Sequence, residues 1–113
     1  MNTESQDGVP LLALSEVIGR SGELDGKRLR VQGRLSLDFE DMTLRPPDLP
    51  KRSRDTSRKL WVRLPTAKKG DLEQLRERYS NAVVEVLGTL DANDHGHLDM
   101  LPATIAVIDI RGV

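Results

Sequence analysis

The chain has no cysteine among its 113 residues, which excludes disulfide staples, thiol nucleophiles and thiolate metal sites. Aromatic residues are nearly as scarce: Phe39, Trp61 and Tyr79 are the whole set. Single-stranded nucleic acid is commonly held by stacking successive bases on successive rings, so an extended stacking platform has little to be built from. An excess of one charge is also missing. Lysine and arginine total 17 against 18 for aspartate and glutamate, a net charge of −1. The global electrostatic footprint of a dedicated nucleic-acid binder is therefore absent, although a local basic patch stays open. No apolar run approaches the roughly 20 residues that span a bilayer, so a membrane role is not expected. The opening Met1-Asn-Thr-Glu-Ser-Gln-Asp-Gly8 has no positive charge before the short apolar stretch Val9 to Leu14, which predicts no secretory leader and a cytoplasmic protein. No glycine-rich phosphate loop and no serine–histidine spacing is present, and both histidines fall in one stretch. A general base and its nucleophile are missing together, so the chain is expected to be neither an enzyme nor a holder of a cofactor.

What is present is an alternating strand pattern that occurs twice. Leu29-Arg-Val31-Gln-Gly33-Arg-Leu35-Ser-Leu37-Asp38 and Val84-Glu-Val86-Leu-Gly88-Thr-Leu90-Asp91 both place an apolar residue at every second position around a central glycine. Alternation buries one face of a strand, and an interior glycine marks a sharp coil, a bulge or a close backbone approach. In the first strand Leu29, Val31, Gly33, Leu35 and Leu37 share the predicted core side. Arg28, Arg30, Gln32, Arg34 and Ser36 share a predicted wet and basic side.

The rest of the chain reads as one domain over 11–113 behind a disordered tail at 1–10. Leu11, Leu12, Leu14, Val17 and Ile18 have the spacing of a short helix or turn that lids one end of a barrel, broken by Gly19 and Gly22. Asp25-Gly26 is the turn into the first strand. Met42-Thr-Leu44-Arg45 is a short second strand. Pro46, Pro47 and Pro50 then forbid regular pairing. Lys51 to Lys59 holds five basic residues and one acidic residue, and predicts a mobile, positively charged loop. Leu60-Trp-Val-Arg-Leu64 is the third strand, with Trp61 and Arg63 on the face opposite Leu60, Val62 and Leu64. Asp71 to Ser80 has the 3–4 spacing of a helix, with Leu72, Leu75 and Tyr79 in register and a cap-like Asp71 and Gln74. Ala82 to Leu90 is the fourth strand. Ala103 to Ile110 is the last, apolar on both faces as if covered.

Five strands with a helix between the third and fourth, and a long glycine-bearing first strand, resemble the OB-fold, a five-stranded Greek-key barrel, over roughly residues 24–111. Val83-Val84-Glu-Val86-Leu-Gly88-Thr-Leu90-Asp91, followed by His95-Gly96-His97, is similar to a group of small uncharacterised bacterial OB-like proteins. That resemblance implies a fold and no activity. Such relatives tend to have an aromatic beside the closing loop, where this chain has Leu98, Met100 and Leu101.

The expected fold is therefore mainly β: an OB-fold barrel with one helix between strands three and four and a short N-terminal helix. The resemblance also implies where a ligand would lie, because OB domains bind single strands through aromatics on the second and third strands beside a basic groove. Trp61 and Phe39 are the candidates for stacking; alternatively, Trp61 covers a barrel end or packs under the long loop. Arg28, Arg30, Arg34, Trp61 and Arg63, with Lys51, Arg52, Arg54, Arg58 and Lys59, form the candidate surface if they converge on one side. That surface fits a protein partner first and a single-stranded nucleic acid second, although a basic run is also an ordinary solvated loop. His95 and His97, flanked by Asp91, Asp94 and Asp99, are weak metal candidates, because such a segment is also an ordinary polar hairpin connection. A sheet edge allows a further mode, pairing with a partner strand or a second copy.

Overall fold

A computed structural model describes residues 9–38, 41–51, 53–64 and 69–113. The strands are β1 (Leu11–Leu12), β2 (Arg28–Asp38), β3 (Asp41–Arg45), β4 (Leu60–Arg63), β5 (Val83–Asp91) and β6 (Thr104–Gly112). Two short helices, α1 (Leu14–Gly19) and α2 (Ser21–Leu24), precede β2, and α3 (Lys69–Tyr79) joins β4 to β5. The protein is mainly β, with all six strands in one mixed sheet. The order is β1-β2-β3-β4-β6-β5, and an additional β2–β5 pairing joins five of the strands into a closed ring. Five strands were expected, and six are present among the described residues. The extra one is the two-residue β1, too short to leave a periodic signal, and it lies parallel to β2 through Leu11 opposite Arg30. This corrects the helical or turn reading of Leu11 and Leu12. It also extends the ordered chain into the expected tail: Val9 is buried, and the Pro10 carbonyl accepts the Arg30 amide.

The two glycine-bearing strands that resemble each other in sequence are partners in space. Antiparallel β2 and β5 set Leu29 opposite Gly88 and Gly33 opposite Val84. The long β2 changes partner at Arg34, which sits opposite both Val83 of β5 and Arg45 of β3. Its first half thus belongs to one side of the ring and its second half to another, and the strand must coil tightly between them. At Gly33 a Cβ would come within 2.9 Å of the Arg45 carbonyl oxygen and of Leu44 Cγ. At Gly88 it would meet the Ala106 carbonyl oxygen at 2.5 Å and Ile105 Cγ1 at 2.7 Å. Backbone approaches this close leave no room for a side chain, so both glycines are steric requirements of the closure.

Inside the ring Leu29, Val31, Leu35, Leu37, Leu44, Leu60, Val62, Val84, Val86 and Ile105 are all fully buried. Leu14, Val17 and Leu24 from the two N-terminal helices belong to the same core. Leu75 and Tyr79 of α3 pack against it, partly buried. Strand β6 departs from its expected double-faced burial, because a register shift opposite Leu87 and Gly88 moves its pairing from Val107 to Asp109. Ile108, the residue skipped there, stands 49% exposed. A bulge inserts one residue and flips the inward–outward parity of the strand beyond it, so Ile105 and Val107 face inward before the bulge and Ile110 does after it.

The ring also bears on the expected edge-to-edge mode, because within it each strand is paired on both sides and the edge left over is β1. Among the described residues no helix is long and apolar enough to cross a membrane.

Replacing Gly88 with alanine is expected to destabilise the protein by about 2–3 kcal/mol, the upper range for overpacking a filled site. Gly22→Ala is the control: nothing lies within 4 Å of its Cβ, and an alanine in a helical turn is neutral or stabilising by up to about 1 kcal/mol. Urea unfolding midpoints of the two variants compared with the parent chain check this. Equal effects would contradict the close approach.

Candidate functional site

The cross-strand row Ser36–Thr43–Trp61–Thr104 runs over the outside of four neighbouring strands, opposite the core. Thr104 is fully buried, and its hydroxyl donates to the Asp94 carbonyl at 2.9 Å. The 92–103 connection between β5 and β6 therefore folds back onto this row. It does so by way of Gly96, whose backbone (φ 69°) lies so close to the indole that a Cβ would sit 2.7 Å from Trp61 Cβ and Cγ. The connection then holds Leu98 and Asp99 in left-handed backbone, at φ 55° and 60°. Leu98 is 74% exposed and Met100 55%. Left-handed backbone is disfavoured for a bulky side chain, and here it aims an apolar group at solvent. Between this loop and the strands lies a groove of about 170 Å³, lined by Asp41, Thr43, Thr56, Lys59, Trp61, Met100 and Leu101.

The candidate basic surface does not assemble as one face. Arg28 is exposed, but it stands eight positions before Ser36, the β2 residue in the Trp61 row; at about 3.3 Å per residue that is roughly 26 Å of strand. Arg30 is buried, 4% exposed, beneath β1. Its guanidinium donates to Glu85 at 3.2 Å and to the Val9 carbonyl at 3.4 Å, which corrects the wet reading of this face of β2. Ser36 is buried too, because Arg45 lies over it. Arg45 donates to Ser36 Oγ at 2.5 Å, to the Leu49 carbonyl at 3.0 Å and to Asn81 Oδ1 at 3.0 Å. Burial lowers the guanidinium pKa of Arg45; the nearby Asp41 opposes that shift and Arg34 adds to it. Arg34 is itself held by the Asn81 carbonyl at 2.6 Å.

The basic loop is pinned as well, against the expectation of mobility. Leu49 is buried, and the Lys59 amide closes a 3₁₀ turn over Thr56–Arg58. Lys59 is 6% exposed, with Nζ donating to the Ser53 carbonyl at 2.9 Å. Lys51 is ion-paired with Asp38, and Arg58 approaches Asp48 at 3.8 Å. Arg54 is exposed, whereas Arg52 and Phe39 lie outside the described residues. Arg63 shares the outer face with Trp61, but its guanidinium is held by Asp94 at 2.7 Å and Asp91 at 3.6 Å.

The loop histidines have separate settings. His95 Nδ1 lies 2.9 Å from the Leu101 carbonyl. A carbonyl only accepts, so Nδ1 carries a proton in this contact. The side chain of His97 lies outside what is described. Among the described residues no group of three or more histidine, aspartate or glutamate side chains is placed to hold a metal ion.

The sequence groups Trp61 with the 51–59 loop and does not announce Asp41, Thr43, Met100 and Leu101 as neighbours of the indole. The available signal was Leu98, Met100 and Leu101, three large apolar residues that follow a polar stretch in the same connection.

Arg30 therefore reads as a structural residue, and that is testable. Glu85→Ala takes one carboxylate away from a buried guanidinium and is expected to cost about 3 kcal/mol. Replacing both partners, Arg30→Met with Glu85→Leu, is expected to recover most of that loss. Chemical unfolding of the single and double variants checks it. A single variant as stable as the parent would return Arg30 to the surface candidates.

No family model matches the chain, and no curated protein matches it. Among solved structures, it is similar to asparaginyl-tRNA synthetase from Pyrococcus horikoshii complexed with asparaginyl-adenylate, at 18% identity and a TM-score of 0.49. The likeness covers 80% of this chain and 20% of the synthetase, so the chain spans about a fifth of that enzyme's length. A likeness at this level says nothing about activity.

Proposed function

We propose that this chain is a non-catalytic binding module, an OB-like Greek-key barrel that engages a protein partner through the groove beside Trp61. The observation that carries this reading is the apolar wall of that groove. Met100 stands exposed in the lining with Trp61 and Leu101, and Leu98, two residues before it, is exposed on a loop whose backbone is held in an unfavourable conformation. Exposed apolar side chains clustered around a recess are the composition of an interaction surface rather than of solvated loop. Their position fits the OB resemblance, which implies ligands on the face of the second and third ring strands; those are β3 and β4 here.

Nucleic acid is the weaker reading, on electrostatic grounds. Phosphate binding draws its affinity from lysine and arginine side chains free to neutralise the backbone. Lys51, Arg58 and Arg63 are each engaged by a carboxylate of this chain, and Lys59 is buried.

Two measurements test the reading. Trp61 is the single tryptophan, so its emission reports on the groove directly. Titration with a single-stranded oligonucleotide at low and moderate salt is expected to leave the emission unchanged. A saturable response that weakens as salt rises would favour nucleic acid instead. Met100→Glu is expected to leave the melting temperature within a few degrees of the parent, since exposed substitutions cost about 0.5 kcal/mol or less. It is also expected to abolish capture of a protein partner that the parent chain retains. Capture that survives the substitution would count against the groove.

A further inference from the structure

One edge of β2 is interrupted. β5 occupies the opposite edge from Arg28 to Arg34, so β1 and β3 share this one. β1 reaches only Val31, and pairing with β3 begins only at Arg34. The chain turns into α1 after Leu12, and Pro46 and Pro47 lack the amides to prolong β3. Gln32 and Gly33 are left without a strand partner on that side.

Both residues line a recess of about 390 Å³ that extends to Val83. A second recess, of about 200 Å³, shares its Leu14, Ser15, Pro46 and Arg58 walls and continues along α1 to Ile18 and Gly19. We propose that this double recess binds a small carboxylate with an aliphatic body, at a site separate from the Trp61 groove.

The walls supply the apolar half of that chemistry. Leu14, Ile18, Pro46, Pro47 and Val83 are all aliphatic, and no aromatic ring lines either recess among the described residues. Arg58 supplies the other half. It lines both recesses and is the one charged residue of either lining. Its guanidinium makes no hydrogen bond among the described residues; its ion pair with the exposed Asp48 is 3.8 Å long. The planar fork therefore keeps its donors for a carboxylate, which it fits bidentately. Neighbouring charges are turned elsewhere: Glu16 to Arg20 at 2.7 Å, and Arg34 to the Asn81 carbonyl at 2.6 Å. One cation in an apolar lining matches one negative charge. A phosphate monoester would bring nearly two, and leave the second against Leu14 and Pro46.

The test uses the intact, isotopically labelled chain at neutral pH, with octanoate, octan-1-ol and acetate as probes. Octanoate is expected to shift the Gly19 and Gly33 amides saturably and to leave Gly96, beside Trp61, unmoved. Octan-1-ol lacks the charge and acetate lacks the body; each is expected to bind at least about tenfold more weakly. Arg58→Gln is expected to weaken octanoate about tenfold at an unchanged melting temperature. Asp48→Asn removes the competing carboxylate and is expected to tighten octanoate about twofold. Octan-1-ol that binds as well as octanoate, or an affinity that neither variant alters, would overturn the role given to Arg58. Equal binding of acetate would overturn the apolar half. Octanoate shifts that miss Gly19 and Gly33, or no shifts at all, would overturn the site. None of these results bears on the Trp61 groove, whose own measurements decide it.

Discussion

The architecture depends on two approaches closer than side chains allow, β2 onto β3 at Gly33 and β5 onto β6 at Gly88. Gly33 and Gly88 sit in partner strands, each opposite a core residue of the other and each with its α-carbon against a carbonyl of a further strand. Without those approaches β2 could not serve β5 with one half and β3 with the other. The ring would open along the line where β2 now changes partner. An open sheet of this sequence would leave one face of leucines and valines to water. At about 25 cal/mol for each Å² of apolar surface, that cost exceeds anything the polar side could recover. Closure in turn brings β4 beside β6 and gives Trp61 a buried neighbour in Thr104. The groove is thus a consequence of the ring.

Charge is handled in the same economical way. The sequence is rich in both signs, and folding matches them inside the molecule before any partner arrives. Arg30 finds Glu85, Arg63 finds Asp91 and Asp94, and Lys51 finds Asp38. Arg45 is buried among neutral acceptors and donates to three of them. The exposed pairs, Lys51 with Asp38 and Arg63 with Asp91 and Asp94, add little stability, typically below about 1 kcal/mol. They leave the cations of Lys51 and Arg63 already engaged by carboxylates of the same chain.

Much of the fold is legible in the residues, and the reasons for the misses are physical. Period-two alternation located β2 and β5, because one buried face leaves its mark on every second residue. The mid-strand glycines announced a close approach for the same reason. Strand β1 escaped notice because two residues carry no period. The outer face of β2 read as wet because Arg30 and Ser36 are polar. Their cover, Val9 with β1 and the Arg45 side chain, comes from positions distant in sequence. The bulge at Ile108 is likewise a property of pairing that no single strand announces. Trp61 was recognisable as the centre of the candidate site from its rarity alone. Its neighbours were not, since Asp41, Lys59 and Met100 meet it only when three separate segments converge. The basic loop misled for a further reason: a sequence counts charges but does not show which of them are already engaged.

The most direct test of ring closure is a set of cross-strand nuclear Overhauser contacts in one solution sample. Closure predicts proximity of Gly33 to Val84 across β2 and β5, together with proximity of Trp61 to Thr104 across β4 and β6. Strands that are formed and protected but lack the Trp61–Thr104 contact would mean an open sheet, and would contradict both the ring and the groove that depends on it.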